Sequence, residues 1–235
     1  MIGDGTELSQ RLKHCLSACY SYGKGRCVDF GYEITETADC GTGFKLYWHG
    51  KYEGSFYIGT IGEHNVYNAT GALATAYLLG LDVAGAHAAL TGFSGIARRL
   101  EHLGNIGTRR IYYDYAHHPT EIVGSLKAIK GTTDKVTVIF KPHTYTRTAA
   151  LFSEFKEALM LADYTVVLDI YAAREPALPG IDAERLAAVI PGGVHLKDKD
   201  AVKYCLYNTV GDIVLMGAGE VEEVKEELLS LINKE

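Results

Sequence analysis

The second half of the chain alternates apolar runs of strand length with segments of helical period. Strands alternating with helices are typical of a parallel sheet built through right-handed crossovers and covered on both faces. We therefore predict an α/β domain. The predicted strands are RRIYYDYA (109–116), KVTVIFKP (135–142), YTVVLDIY (164–171) and DIVLMGAG (212–219), and the predicted helices are PTEIVGSLKAIKG (119–131), RTAALFSEFKEALMLAD (147–163), DAERLAAVI (182–190) and EVEEVKEELLSLINK (220–234).

The first half has a mixed pattern. A short helix is predicted over residues 4–16, and strands over 27–39 and 44–59, the latter turning like a hairpin at His49. The alanine- and leucine-rich segment 63–80 predicts a largely buried helix, and residues 82–93 repeat the helical period more weakly. A glycine-rich passage near residue 104 then predicts a domain boundary, which divides the chain into 1–107 and 108–235.

Composition narrows the class of protein. The formal charge of −6 and the pI near 5.9 argue against a broad nucleic-acid surface, which requires concentrated lysine and arginine. The sequence shows neither a membrane-spanning apolar run nor a signal peptide, so we expect a cytoplasmic protein that does not bind membranes. Five cysteines without a C-x-x-C pair predict free thiols, and their spacing matches no common zinc site, so no metal site is predicted.

Polar groups follow each of the four predicted strands in the second half. Ligands of open parallel sheets bind beyond the carboxyl ends of the strands. Each loop taken alone has a purely structural explanation as an alternative to ligand binding, since His-Pro is often a helix cap and a lone arginine is usually solvated. Four consecutive loops of this kind predict a polar or anionic ligand, because arginine and imidazole suit carboxylate and phosphate. The residues are Asp114, Tyr115, His117 and His118 in the first loop, His143, Tyr145 and Arg147 in the second, Asp169, Tyr171, Arg174 and Glu175 in the third, and the Gly-Ala-Gly-Glu turn 217–220 in the fourth.

The Gly-Ala-Gly-Glu turn is only a fragment of the dinucleotide fingerprint G-x-G-x-x-G. An acidic residue stands where the third glycine belongs, and the turn follows the last strand instead of the first. We therefore expect these glycines to serve helix–strand packing, and a nicotinamide dehydrogenase is a distant alternative.

The segment DYAHHPTE (114–121) resembles the D-Y-A-H-x-P element of the Mur ligases. Further matches occur in the family's order between residues 62 and 219. The helix 63–80 resembles the H-N-x-x-N helix, and ARRLEHLG (97–104) resembles the R-R-F-E element with leucine in place of phenylalanine. KPHTYTRTAALFSEF, DIYAAREPALPG and LMGAGE are similar as well.

This resemblance implies an ATP- and magnesium-dependent ligase of peptidoglycan synthesis that forms an amide bond through an acyl phosphate. The similarity is strongest to members that add L-alanine to UDP-N-acetylmuramate. It implies a Rossmann-like C-terminal domain, preceded by the second half of the family's central ATPase domain. Two alternatives stay open, namely the recycling ligase that attaches a murein peptide to the same sugar nucleotide and a non-catalytic relic that binds a nucleotide or a partner chain.

The resemblance also assigns roles to individual residues. Two asparagines would contact the adenine end of ATP, although capping of a helix N-terminus is an equal alternative for the first. One arginine would lie near the phosphates, unless it only forms a salt bridge with Glu101 or another carboxylate. The full set is Asn65 and Asn68 at adenine, Arg99 at the phosphates, Asp114 at the ribose, Tyr115, His117 and Arg147 around the amino acid and the reacting carboxylate, and His117 and Arg147 as the catalytic pair.

The sequence departs from the family in several places. Tyr113 replaces the first of two aspartates, and Thr144 replaces an arginine found in many members. No phosphate-binding loop ending Gly-Lys-Thr or Gly-Lys-Ser is present, and the magnesium-binding glutamate and the sugar-nucleotide domain are missing too. We therefore expect a C-terminal piece of a longer ligase, inactive by itself, in which exposed sheet edges favour self-association.

Overall fold

The chain folds into two compact units, Met1–Gly95 and Ile96–Glu235. The computed structural model describes residues 1–4, 9, 11–12, 19–39 and 41–232, so most of the helix predicted over 4–16 lies outside the described residues. The division falls before residue 96, and not at 107/108 as predicted. The physical reason is that the glycine-rich passage forms the turn of a hairpin inside the second unit, with Gly107 at a φ of 58°.

The N-terminal unit contains a five-stranded sheet in the order β1-β2-β3-β4-β5. The first three strands are parallel, and β3, β4 and β5 are antiparallel. The predicted hairpin is confirmed: His49 and Gly50 have φ angles of 45° and 76°, and positive φ at both central residues suits the twist of a two-residue hairpin. The elements are β1 (Ile2–Gly3), β2 (Ser21–Lys24), β3 (Phe30–Ala38), β4 (Gly41–Trp48), β5 (Lys51–Ile58), α1 (Glu63–Leu78) and α2 (Val83–Thr91).

Helix α1 packs one face on this sheet. Val66, Ala69 and Leu73 follow the helical spacing and contact a cluster that includes Phe44 and Phe56. The opposite face is open, and Leu79 just after the helix is 70% exposed. The sequence prediction of a largely buried helix was therefore correct for one face only.

The C-terminal unit contains a six-stranded sheet in the order β10-β9-β8-β11-β7-β6. All pairs are parallel except β6 with β7, which confirms the predicted α/β fold with a mostly parallel sheet. The strands are β6 (Glu101–Ile106), β7 (Arg109–Asp114), β8 (Val136–Lys141), β9 (Tyr164–Val167), β10 (Val194–His195) and β11 (Asp212–Gly217), and the helices are α3 (Pro119–Lys130), α4 (Tyr145–Ala150), α5 (Phe152–Leu159), α6 (Ala183–Ala188), α7 (Asp198–Asn208) and α8 (Glu222–Ile232).

Both faces of this sheet are covered. On one face Ile111 and Leu215 pack with Cys205 of α7 and Leu228 of α8. On the other face the ring of Phe140 lies 5.4 Å from the ring of Phe155 on α5. Because both faces are buried, β8 and β11 read as continuous apolar runs in the sequence.

The strand register brings the carboxyl ends of the central strands to one edge. Met216 of β11 pairs with Asp114 of β7, and Gly217 of β11 pairs with Lys141 of β8. The loops that follow β7, β8, β9 and β11 therefore leave the sheet side by side. We call this edge the rim. It is where the sequence predicted the ligand site.

Candidate functional site

The rim gathers a row of rings from three loops. The ring of His117 lies 5.3 Å from the ring of Tyr115 and 6.0 Å from the ring of His143, measured between centroids. The ring of His143 lies 5.4 Å from that of Tyr171. The predicted convergence of imidazole and phenol groups on one edge is confirmed.

Two nitrogen atoms of the rim are buried without a hydrogen-bond partner in the described part of the chain, Nδ1 of His143 and Nη1 of Arg147. Buried polar atoms are normally satisfied, so such an atom requires an explanation such as a ligand. The two side chains also interact electrostatically: burial first, and then the charges of Arg147 and His117, lower the pKa of His143. A guanidinium with a free N–H suits an anionic oxygen of a carboxylate or phosphate.

The loop that carries these two residues is held in a strained conformation. Thr144 has a φ of 65°, which is rare for a β-branched residue. Its N–H donates to the carbonyl of Tyr171 at 2.8 Å, and the N–H of Tyr171 donates to the carbonyl of Pro142 at 2.8 Å. The surrounding bonds therefore maintain a backbone that positions His143 and Arg147.

Glu175 ties the third loop to the second. Its carboxylate accepts from the backbone N–H of Thr146 at 2.9 Å and from the Thr146 hydroxyl at 2.6 Å. These hydrogen bonds lower the pKa of Glu175. Since Thr146 precedes Arg147 directly, the ionised carboxylate anchors the first turn of α4 beside the predicted catalytic arginine.

The loop after β7 combines a helix cap with site residues. His118 is the N-cap of α3: its Nδ1 accepts from the N–H of Thr120 at 3.3 Å, and Pro119 is the first helical residue. The cap-and-turn interpretation is thus confirmed for His118. The ring of His117 instead uses Nδ1 to contact the carbonyl of Tyr115 at 2.9 Å.

Asp114 is buried at the end of β7, with 4% of its surface exposed. Its carboxylate accepts from the Ser125 hydroxyl and from the N–H of Ala116. Burial raises the pKa of Asp114 despite these bonds. Both oxygens are used within the fold, so the structure gives Asp114 a role in holding the loop, and its predicted contact with ribose stays a prediction.

Arg99 is exposed and lies 3.7 Å from a carboxylate oxygen of Glu121. The predicted alternative partner, Glu101, accepts instead from the backbone N–H of Arg98 at 2.9 Å. The guanidinium of Arg98 lies over the ring of Tyr115 at 4.9 Å. Two arginines therefore flank the aromatic end of the rim, which is consistent with binding an anion there.

The remaining predicted residues belong to the N-terminal unit. The amide Nδ2 of Asn65 donates to the carbonyl of Ile61 at 2.8 Å and to the hydroxyl of Thr60 at 3.3 Å. The N-cap of α1 is Gly62, without a side-chain cap, so the capping alternative for Asn65 was wrong. Asn68, one turn further, lines an open groove of about 590 Å³. Contact of either asparagine with adenine stays a prediction.

Sequence reasoning assigned no individual role to two carboxylates that organise the loops, Glu121 and Glu175, although Glu175 was among the polar residues predicted in the third loop. The signal for Glu121 was present, because it lies four residues after His117 in the quoted segment. A Cβ on Gly219 would lie 2.7 Å from Cγ of Tyr171 in the third loop, so glycine is required there for close packing between two loops of the rim. The predicted helix–strand packing by these glycines stays a prediction.

The fold is that of a Rossmann-like α/β domain, and its rim gathers imidazole, phenol and guanidinium groups. Residues 98–219, more than half of the chain, match the domain described as the Mur ligase, glutamate ligase domain. The chain therefore belongs to the Mur ligase family. No helix within the described ranges is long and apolar enough to cross a membrane.

Similar proteins give the same family. A UDP-N-acetylmuramate–L-alanine ligase from Caldanaerobacter subterraneus subsp. tengcongensis is 41% identical over 194 residues, which cover 79% of this chain and 42% of that protein. The enzyme of the same name from Streptococcus agalactiae is 37% identical over 92% of this chain and 50% of its own length. The chain thus spans about half the length of these relatives.

Solved structures share the fold. The UDP-N-acetylmuramate–alanine ligase of Thermotoga maritima superposes with a TM-score of 0.75 at 22% identity, covering 92% of this chain and 48% of that chain. A second ligase of the same organism, solved in complex with ADP, gives a TM-score of 0.66 at 17% identity, covering 92% of this chain and 49% of that chain.

Proposed function

We propose that this chain supplies part of an ATP-dependent ligase that adds L-alanine to UDP-N-acetylmuramate, an early cytosolic step of peptidoglycan synthesis. The names of the relatives at about 40% identity favour this substrate pair over a murein peptide. The observation that carries the proposal is the pair of buried, unpartnered nitrogens on His143 and Arg147. On this proposal residues 1–95 correspond to part of the central ATP-binding domain.

The proposed chemistry places the reacting carboxylate at the rim. ATP supplies the phosphoryl group that activates the carboxylate. Arg147 neutralises the anionic oxygen through its free N–H, and this electrostatic stabilisation is the largest contribution expected in phosphoryl and acyl transfer. Tyr115 and His117 surround the incoming amino acid.

The proposed nucleotide contacts include Arg99. Its ion pair with Glu121 is long, at 3.7 Å, and exposed. Exposed pairs contribute about 0–1 kcal/mol, so a phosphate can replace Glu121 as the partner of Arg99 at little cost. Asn65, Asn68 and Asp114 complete the predicted set, and magnesium is assigned to none of these residues.

Substrate choice tests the proposal. In a chimera, the matched region of the Caldanaerobacter ligase is replaced by that of this chain, and ADP formation is measured with UDP-N-acetylmuramate and either L-alanine or a murein tripeptide. The proposal predicts turnover that depends on L-alanine. A folded chimera that uses only the tripeptide would identify the recycling ligase instead.

The isolated chain provides a second test. Because the sequence lacks a Gly-Lys-Thr or Gly-Lys-Ser phosphate loop, release of phosphate from ATP in the presence of magnesium and both substrates should equal the background. A rate of phosphate release well above the background would refute the prediction that ATP hydrolysis requires a phosphate loop, which this sequence does not contain.

A further inference from the structure

Glu121 contacts more of the rim than its place in a helix cap requires. One carboxylate oxygen accepts from the backbone N–H groups of His117 and His118, at 3.1 and 3.2 Å. The same oxygen lies 3.6 Å from Nδ1 of His117, and the other oxygen lies 3.7 Å from Nη1 of Arg99. A single side chain therefore joins the residue predicted at the phosphates to the residue predicted at the amino acid.

The ring of His117 has a defined proton arrangement in this geometry. Nδ1 lies 2.9 Å from the carbonyl oxygen of Tyr115, and a carbonyl oxygen can only accept a hydrogen bond. Nδ1 must therefore carry the proton and donate it. In the neutral imidazole this leaves Nε2 as the acceptor, because the hydrogen bond of one ring nitrogen sets the state of the other.

Glu121 maintains that arrangement from two sides. Its bonds to the two N–H groups fix the backbone that holds His117 above the first turn of α3. Its negative charge also lies next to Nδ1, where a protonated nitrogen is favoured. Burial opposes ionisation of Glu121, but its hydrogen bonds and the nearby positive groups lower its pKa, so it remains a carboxylate.

We propose that Glu121 is a positioning residue that holds His117 with Nε2 as the proton acceptor for the incoming amine. This inference rests on the proposed ligase function. The transferred proton leaves the ammonium nitrogen of the amino acid and bonds to Nε2, which gives imidazolium and a neutral amine. The amine can then attack the activated carbonyl and form the C–N bond. Phosphate leaves with the electron pair of the broken C–O bond and takes up the second proton of the amine nitrogen.

The state of His117 can be measured in the chain itself. Nitrogen-15 shifts of histidine-labelled protein are recorded at about pH 9, well above the ordinary histidine pKa of about 6.5. The signals of His117 are assigned by their loss in His117→Gln. We expect the proton on Nδ1 in the unmodified chain and a mixture with the Nε2-protonated form in Glu121→Ala. Glu121→Gln, whose amide oxygen still accepts from the two N–H groups, should retain the original signals.

Controls separate positioning from general destabilisation. Glu154→Ala changes a first-turn glutamate of another helix, the exposed one on α5, and should leave the His117 signals unchanged. If Glu121→Ala does not fold, Glu121→Asp, which is too short to keep both bonds, replaces it. The inference is overturned if unmodified His117 carries its proton on Nε2, or if the folded Glu121→Ala or Glu121→Asp variant keeps the unmodified signals.

Turnover supplies the remaining readout. In the chimera described above, Glu121→Ala should lower kcat about tenfold or more, since general base catalysis contributes about 10²–10⁴-fold, and Glu121→Gln should restore most of the loss. Equal rates for Glu121→Ala and the parent chimera would overturn the positioning role. If the parent chimera fails to use L-alanine, the ligase proposal is wrong. The proton arrangement of His117 is tested independently, by the nitrogen-15 spectra.

Discussion

The guanidinium of Arg147 influences the charge of His143, which lies on the same loop of the rim. Burial is the first cause that lowers the pKa of His143, and the guanidinium of Arg147 is the second. The folded chain therefore keeps His143 neutral under conditions in which an unfolded chain would protonate it. Its contribution to stability is present at neutral pH and decreases as the pH falls below about 6.5, the ordinary histidine value.

Replacing the arginine tests this coupling. Arg147→Met removes the positive charge but keeps an apolar stem, so the pKa of His143 should rise toward its ordinary value in an NMR titration. Arg174→Met, an exposed arginine on the neighbouring loop, is the matched control and should change the titration little. An unchanged pKa in Arg147→Met would show that the two groups do not interact.

Asp114 and Ser125 provide a second prediction at the residue scale. The hydroxyl of Ser125 donates to a carboxylate that is 4% exposed. Ser125→Ala leaves that oxygen short of a donor, so the free energy of unfolding in urea should fall by about 1–3 kcal/mol. The control variant Ser153→Ala, at an exposed position of α5, should have a free energy of unfolding within about 0.5 kcal/mol of the unmodified chain.

At the scale of elements, Arg109 connects the start of β7 to the end of α7. Its Nη1 donates to the carbonyls of Cys205 and Thr209 at 2.9 and 3.2 Å, and its Nε donates to the carbonyl of Gly211 at 2.5 Å. The last carbonyls of a helix lack partners within the helix, so a cation there stabilises it. Arg109 thus joins the start of β7 to the end of α7 at the edge of the sheet opposite the rim.

Arg109→Leu should lower the free energy of unfolding by about 1–3 kcal/mol, because the substitution removes the guanidinium donors to the carbonyls of Thr209 and Gly211. The carbonyl of Cys205 keeps its hydrogen bonds from Thr209. Urea denaturation measures the loss, with the exposed Lys199→Leu on α7 as the control. A loss in Arg109→Leu no larger than in Lys199→Leu would mean that water replaces the guanidinium without cost.

The elements that the sequence predicted are those with an unambiguous pattern. Strands β8 and β11 are buried on both faces, so their apolar runs are continuous. Helix α7 was missed because its buried residues are small, namely Ala201, Val202 and Cys205, and polar residues surround them. The helix predicted over 147–163 is two helices that meet at Leu151, a break that no proline or glycine announces.

The candidate site was predictable in kind but not in its internal contacts. The residue types after each strand indicated an anion site, and the parallel register explains why they meet. The partners of Arg99 and Asp114 are Glu121 and Ser125, respectively. Both partners lie on α3, whose helical turns bring them to the rim. Sequence spacing alone does not distinguish these partners from Glu101, which lies closer to Arg99 along the chain.

At the scale of the whole molecule, the extent of the second unit is decided by β6. Strand β6 pairs along β7, and a Cβ on Gly104 would lie 2.6 Å from the side chain of Ile232 on α8. The strand is therefore packed between a neighbouring strand and a helix. It belongs to the C-terminal unit, although the glycines beside it resemble a linker.

Two truncated proteins test this division. A piece comprising residues 96–235 should fold with a cooperative thermal transition. A piece comprising 108–235 should melt at a lower temperature, because the loss of β6 exposes the edge of β7 and the surface around Ile232. Equal melting temperatures would show that the folding unit begins at residue 108, as the sequence pattern indicated.

The central claim is that Arg147 binds the reacting anion of an L-alanine-adding ligase, and one comparison tests it most directly. The value of kcat/KM for L-alanine is measured in the chimera with Arg147→Ala and, separately, with Arg185→Ala, which changes an exposed arginine on α6. Loss of a group that stabilises transition-state charge should lower the value about 10²–10³-fold for Arg147→Ala. The control should stay within about twofold. Similar rates for both variants would contradict the assignment of the rim as the site of amide formation.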